Sequence, residues 1–196
     1  MFRRKAHPRK SGYRARMSDA LLALQPSPAA GFDQPLDMLD GCHERLRRSL
    51  ALLERLSAHL TAHGADQAAQ EAARDVLRYF DLAAPHHHQD EELHLVPLLQ
   101  RDPSTRAWAE QLLSDHAQLA PLWLNARIAL VKVSEGVWPA ETEAAALQAQ
   151  WAQWAQALRA HAAWEDAVVY PWVRTQLSTD HAHAMGQEMA QRRGVR

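Results

Sequence analysis

The chain has 196 residues, enough for one domain with a sizeable core and tight for two. Its formal charge of −1 points no global field at nucleic acid or membrane. Its single cysteine, Cys42, excludes a disulfide within the chain and nearly excludes thiolate metal sites, which fits a reducing, cytoplasmic setting.

Glycine is scarce (7), alanine and leucine are plentiful, and alternating β-branched runs are missing, so an all-α fold is expected. Residues 1–16 carry Arg3, Arg4, Lys5, Arg9, Lys10, Arg14 and Arg16 and no acid. Such an arm can touch nucleic acid or lipid, but the plainer reading is a disordered tail, or a start assigned too early with Met17 the true beginning. The apolar run at 21–24 is too short for a signal segment or a membrane span. Pro26, Pro28, Gly31 and Pro35 mark an extended lead-in, so residues 1–35 are set apart from the domain.

From Leu36 the apolar residues step by three and four: Leu36, Leu39, His43, Leu46, Leu50, Leu53, Ser57 and Leu60. That is the seam of a helix in a bundle, with His43 facing inward. Gly64 suits the residue after the helix, and Asp66 suits the cap of the next. A second helix, about 67–100, places Val76, Phe80, Ala83, His87, Glu91, Leu95 and Leu98 on its inner stripe, and Pro85 predicts a kink just before the histidines. Residues 102–105 read as a turn and cap.

The third helix, about 105–134, has Ala109, Leu112, His116, Leu119, Trp123, Ala126 and Leu130 on its seam, with a bend expected at Pro121. Pro139 suits a first helical turn. The fourth helix, about 140–176, has Leu147, Trp151, Trp154, Leu158, His161, Glu165, Val168 and Trp172. Ser178 or Thr179 can cap a short C-terminal helix. The domain is therefore expected at 36–177, with the short helix and tail at 178–196.

Two segments carry the chemistry. Residues 86–97 read His-His-His-Gln-Asp-Glu-Glu-Leu-His-Leu-Val-Pro, and residues 161–171 read His-Ala-Ala-Trp-Glu-Asp-Ala-Val-Val-Tyr-Pro. In each, a His and a Glu four apart share one helix face and aim at a common point. The lone His43 and His116 are 73 residues apart, and the pairs His87/Glu91 and His161/Glu165 are 74 apart. Two like hairpins give an up-down-up-down four-helix bundle with a pseudo-two-fold axis.

One histidine on an apolar stripe is usually a hydrogen-bonded core residue. Four converging with two acids are different, because unpaired buried carboxylates are costly. Nitrogen and oxygen donors without sulfur suit iron, manganese or zinc. Six donors exceed one tetrahedral zinc but serve two octahedral irons, with His43 and His87 on one, His116 and His161 on the other, and Glu91 and Glu165 bridging. His86, His88 and His94 flank the motif and read as outer or solvated residues. Asp90 and Glu92 read as a solvated face or as orienters of histidine N–H groups. His7, His59, His63, His181 and His183 read as surface residues. Trp123 and Tyr79 are placed at the border of a small-molecule pocket.

With these motifs in order, including Pro97 and Pro171, the stretch from about 36 to 176 resembles the hemerythrin and HHE cation-binding family. The resemblance implies a non-haem di-iron centre that meets oxygen, peroxide or nitric oxide. Oxygen-carrying hemerythrins have a second histidine one turn after the first in the third helix, where this chain has Ala120 and then Pro121. That departure implies a further open position, and so sensing, scavenging or metal handling in place of stable oxygen carriage. The oxygen carriers also use an Asp five residues after the last His, which would be Asp166. Glu165 is preferred here because it continues the seam, with Asp166 in reserve. The alternatives are an iron-handling or regulatory protein with a structural metal, and a di-iron oxidase or peroxidase. The expected ligand is a diatomic or peroxide, with no nucleic-acid or membrane partner.

Overall fold

A computed structural model describes residues 31–195; the basic arm, Met17, Pro26 and Pro28 lie outside the described residues. Among the described residues every regular element is helical. None of these helices is long and apolar enough to cross a membrane.

Helix α1 is Pro35–His63. Its proline sits in the first turn, where the missing N–H has no partner to lose, and Gly64 closes it with a φ of +66°. Asp66 then accepts the Ala69 N–H at 3.0 Å and caps the next rod. The same oxygen lies 2.9 Å from His59 Nε2, so His59 is buried, contrary to the surface position the sequence suggested.

The second rod, α2, covers residues 67–101 in five pieces. The α-helical pieces Gln67–Arg78, Ala84–Asp90 and Val96–Arg101 are separated by two π-helical turns, Tyr79–Ala83 and Glu91–Leu95. Helix α3 is Arg106–Ser134. Thr105 precedes it but does not cap it, because its hydroxyl donates to Leu99 O at 2.8 Å. The rod α4, residues 141–176, joins Glu141–Trp164 to Tyr170–Gln176 through a third π turn, Glu165–Val169. It starts after Pro139, which ends the link instead of opening the helix. Helix α5, Thr179–Arg192, is capped by Ser178, whose oxygen accepts the His181 N–H.

Each π turn is followed two residues later by a proline: Pro85, Pro97 and Pro171. A proline has no N–H for the carbonyl four residues back and its ring crowds that carbonyl. Here the residue before the proline donates five residues back instead: Ala84 to Tyr79 O, Val96 to Glu91 O, Tyr170 to Glu165 O. The ladder widens by one residue, so the kink expected at Pro85 takes this form. Pro121 is handled differently, since α3 runs through it without a π turn.

The widening also shifts the buried stripe. Ala84 is buried where Ala83 was expected, Leu99 replaces Leu98, and Val169 and Val173 replace Val168 and Trp172.

Two apolar clusters result. One gathers Leu46, Leu50, Phe80, Leu119, Trp154 and Leu158; the other gathers Leu39, Leu95, Leu99, Leu112, Val173 and Met189. Along α1 the chain meets the second cluster and then the first; along α2 the order is reversed, along α3 it matches α1, and along α4 it matches α2. Buried Trp151 satisfies its indole N–H on Ala126 O at 3.0 Å. Between the clusters every seam turns polar.

Candidate metal centre

The polar layer consists of His43 from α1, His87 and Glu91 from α2, His116 from α3, and His161 and Glu165 from α4, all buried. The structure therefore brings together all six residues singled out from the sequence. His87 ends one turn of α-helix before Glu91, and His161 one turn before Glu165, so each pair shares a face. Both glutamates are the first residues of π turns, a distortion frequent at functional sites.

The donors fall into two groups whose ligand atoms lie within 4.8 Å of one another: His43, His87, Glu91 and Glu165, and His88, Glu91, His116 and His161. The carboxylates span both. Glu165 Oε2 is 3.2 Å from His43 Nε2, and its Oε1 is 3.2 Å from His161 Nε2. Glu91 Oε1 is 3.5 Å from His87 Nε2, and its Oε2 is 3.5 Å from His116 Nε2. His116 Nε2 and His161 Nε2 are 3.1 Å apart. Asp166 does not enter this layer.

The outer ring nitrogens are tied down by carboxylates nearer the surface. Asp166 Oδ1 is 2.7 Å from His43 Nδ1, Glu92 Oε1 is 2.8 Å from His116 Nδ1, and Asp115 Oδ2 is 3.3 Å from His161 Nδ1. Such partners fix ring orientation and point the other nitrogen inward, as in carboxylate–histidine–metal triads. Asp166 also pairs with Arg47. Asp90, by contrast, turns away from the histidines to Arg192 of α5 and to Arg193, which follows it. His94 pairs with Glu188 of α5 at 2.7 Å.

Two residues of the layer escaped the sequence reading. His88 was placed outside the site, yet its ring stacks on His116 with centroids 3.9 Å apart. Tyr170 stacks on His43 at 5.0 Å, lies 3.3 Å from His43 Nε2 through its hydroxyl, and donates that hydroxyl to Glu91. The one signal in the sequence was its place before Pro171; the π turn that brings it inward is seen only in the structure. Tyr79 and Trp123, expected near a ligand pocket, are engaged elsewhere: Tyr79 donates to Cys42 O at 3.0 Å and Trp123 to Asp81 at 3.2 Å.

The electrostatics follow from two acids in a closed space. Burial would lower the His43 pKa, but Asp166 and Glu165 outweigh it and raise it to about 10. Burial would raise the Glu91 pKa, and the surrounding His87, His116 and His88 hold it well below the usual carboxylate range. Burial together with the charge on His116 drives His88 well below the normal imidazole value. Burial, reinforced by Glu91 and Glu165, pushes Tyr170 well above an ordinary phenol.

Glu91 Oε2 and both oxygens of Glu165 are buried without a hydrogen-bond partner, although histidine nitrogens lie at 3.2–3.5 Å. Uncompensated buried carboxylates cost several kcal/mol in general. Cations between these oxygens and the converging nitrogens would remove that cost, and the donor set suits a borderline or hard transition metal. The fold and its polar layer thus define an all-helical protein built around a histidine and carboxylate metal site.

The comparison with known families agrees. The model of the hemerythrin HHE cation binding domain matches residues 34–173, and the chain belongs to this family. An uncharacterized protein of Haemophilus influenzae is 36% identical over 101 residues, a match that covers 51% of this chain and 59% of that protein.

Proposed function

We propose that the chain is a non-haem di-iron protein that binds, senses or scavenges a small ligand such as oxygen, nitric oxide or peroxide. The observation that carries this reading is the disposition of Glu91 and Glu165, each facing one histidine of either group with its two oxygens. In this reading His43, His87, His116, His161, Glu91 and Glu165 would hold two irons, and the four rods run up-down-up-down. The alternating order in which successive rods pass the two apolar clusters supports that topology. The single unpaired cysteine supports a cytoplasmic setting.

Iron, when bound, supplies a redox-active Lewis acid to which a diatomic or peroxide can bind. The chain's own residues do the rest. Asp166, Glu92 and Asp115 hold three rings in register, and the two apolar clusters keep bulk water away. Tyr170 places a hydroxyl proton at Glu91 and the His43 side of the layer. A surface cleft of about 370 Å³, lined by Asp40, Glu44, Arg47, Asp166, Tyr170, Pro171 and Arg174, lies on the Tyr170 side of the layer. Its charged walls favour a small polar ligand over a greasy organic substrate.

Anaerobically reduced, iron-loaded protein exposed in turn to oxygen, nitric oxide and peroxide tests this. Visible bands that form and reverse support ligand binding. Irreversible bleaching with turnover would make the protein an oxidase or peroxidase, and no spectral change would leave a structural metal in an iron-handling or regulatory protein.

A further inference from the structure

His87 and His88 are consecutive, yet their rings enter different groups, His87 beside His43 and Glu165, His88 beside His116 and His161. Helix geometry allows it. Successive side chains on Ala84–Asp90 diverge by about 100°, while Glu91 is four residues from His87 and three from His88, and so neighbours both. One turn of helix can thus address two points a few ångströms apart, with Glu91 between them.

The surroundings of His88 fit a donor. Its ring is parallel to His116 at 3.9 Å and perpendicular to His161 at 6.0 Å, so three imidazoles crowd the second group. Among the described residues its nitrogens have no hydrogen-bond partner to explain that placement. Helix α3 offers the group only His116, since Ala120, one turn on, is exposed and carries no donor.

We propose that His88 is a ligand of the second cation, the third nitrogen beside His116 and His161. This rests on the two-cation reading above. It makes the positions unequal: three nitrogens plus the shared carboxylates at the second, two nitrogens plus the same carboxylates at the first. The open place for a small ligand then falls at the first position, beside the Tyr170 hydroxyl and its charged cleft. Ala120 leaves no vacancy, because the missing nitrogen arrives from α2.

The test is anaerobic Co(II) titration of the metal-free full-length chain, followed by ligand-field bands and by metal content after desalting. The wild-type chain takes up two Co(II). His88→Ala keeps the first and weakens the second by more than the roughly 10- to 100-fold that loss of an outer partner of a ligating histidine causes. Glu92→Gln, which alters the outer partner of His116, measures that smaller effect in the same protein. His88→Asn guards against a packing defect: it too loses the second Co(II), while thermal unfolding of its metal-free form stays near wild type.

Two equally tight Co(II) in His88→Ala, or a loss no larger than in Glu92→Gln, overturns the assignment and leaves the two-cation reading standing. Fewer than two Co(II) in the wild-type chain overturns that reading and the assignment with it.

Discussion

At the scale of single residues, the metal-free layer is a set of acids held by protons on histidines. His43 shows this most clearly, with its pKa raised to about 10 by Asp166 and Glu165 against the effect of burial. A raised histidine contributes stability that is complete below its unfolded value near 6.5 and is lost as pH climbs through about 10. His87 and His116 are raised as well, so they add to the same slope. The metal-free protein is therefore expected to lose thermal stability steadily from pH 6.5 to 10. Asp166→Asn should flatten that slope, and a slope unchanged by it would remove His43 as the cause. The inward histidines and both glutamates were legible because they fall on seams of apolar residues. His88 was not, since a seam marks one direction on a helix and His88 serves a point displaced from it. Asp115, the outer partner of His161, belongs to no periodic pattern.

At the scale of elements, the three π turns carry most of what periodicity could not show. Pro85, Pro97 and Pro171 were visible, but periodicity does not tell a proline that widens the ladder from one that is merely passed through, as at Pro121. At each wide turn a neighbour takes a buried place expected of another residue: Ala84 for Ala83, Leu99 for Leu98, Val169 for Val168. Helix α5 is the other element whose role was hidden. Its Met185 and Met189 complete the second cluster, and it lies so close to the lead-in that a Cβ on Gly186 would stand 1.7 Å from Phe32 O. Its C-terminal end grips α2 beside Glu91: fully buried Asp90 is held by Arg192 at 2.7 Å and by Arg193, just past the helix, at 2.5 Å. Removing one side of a buried ion pair strands the other. Arg192→Ala with Arg193→Ala should thus cost about 3–5 kcal/mol in urea unfolding. Adding Asp90→Leu should return much of it, because the stranded charge is gone. A double variant as stable as wild type would show that α5 docks through its methionines alone.

At the scale of the whole molecule, a polar layer divides what would otherwise be one continuous core, and the metal-free chain bears its desolvation cost. Glu165→Leu should reduce the chain's cation uptake, since it removes the carboxylate that faces both His43 and His161. The wild-type chain should recover stability with metal. A ligand that binds only the folded state at about 100 times its dissociation constant adds about 2.7 kcal/mol. Chelation should therefore lower the midpoint of the wild type and leave Glu165→Leu nearly unmoved. Equal sensitivity to chelator in both would place the stabilising cation elsewhere.

X-ray absorption of the iron-loaded chain tests the shared-carboxylate centre most directly. Two irons per chain with nitrogen and oxygen neighbours and an iron–iron vector at about 3.5–4 Å, as in two-metal sites generally, is the expected result. One iron per chain, or two without such a vector, would contradict it.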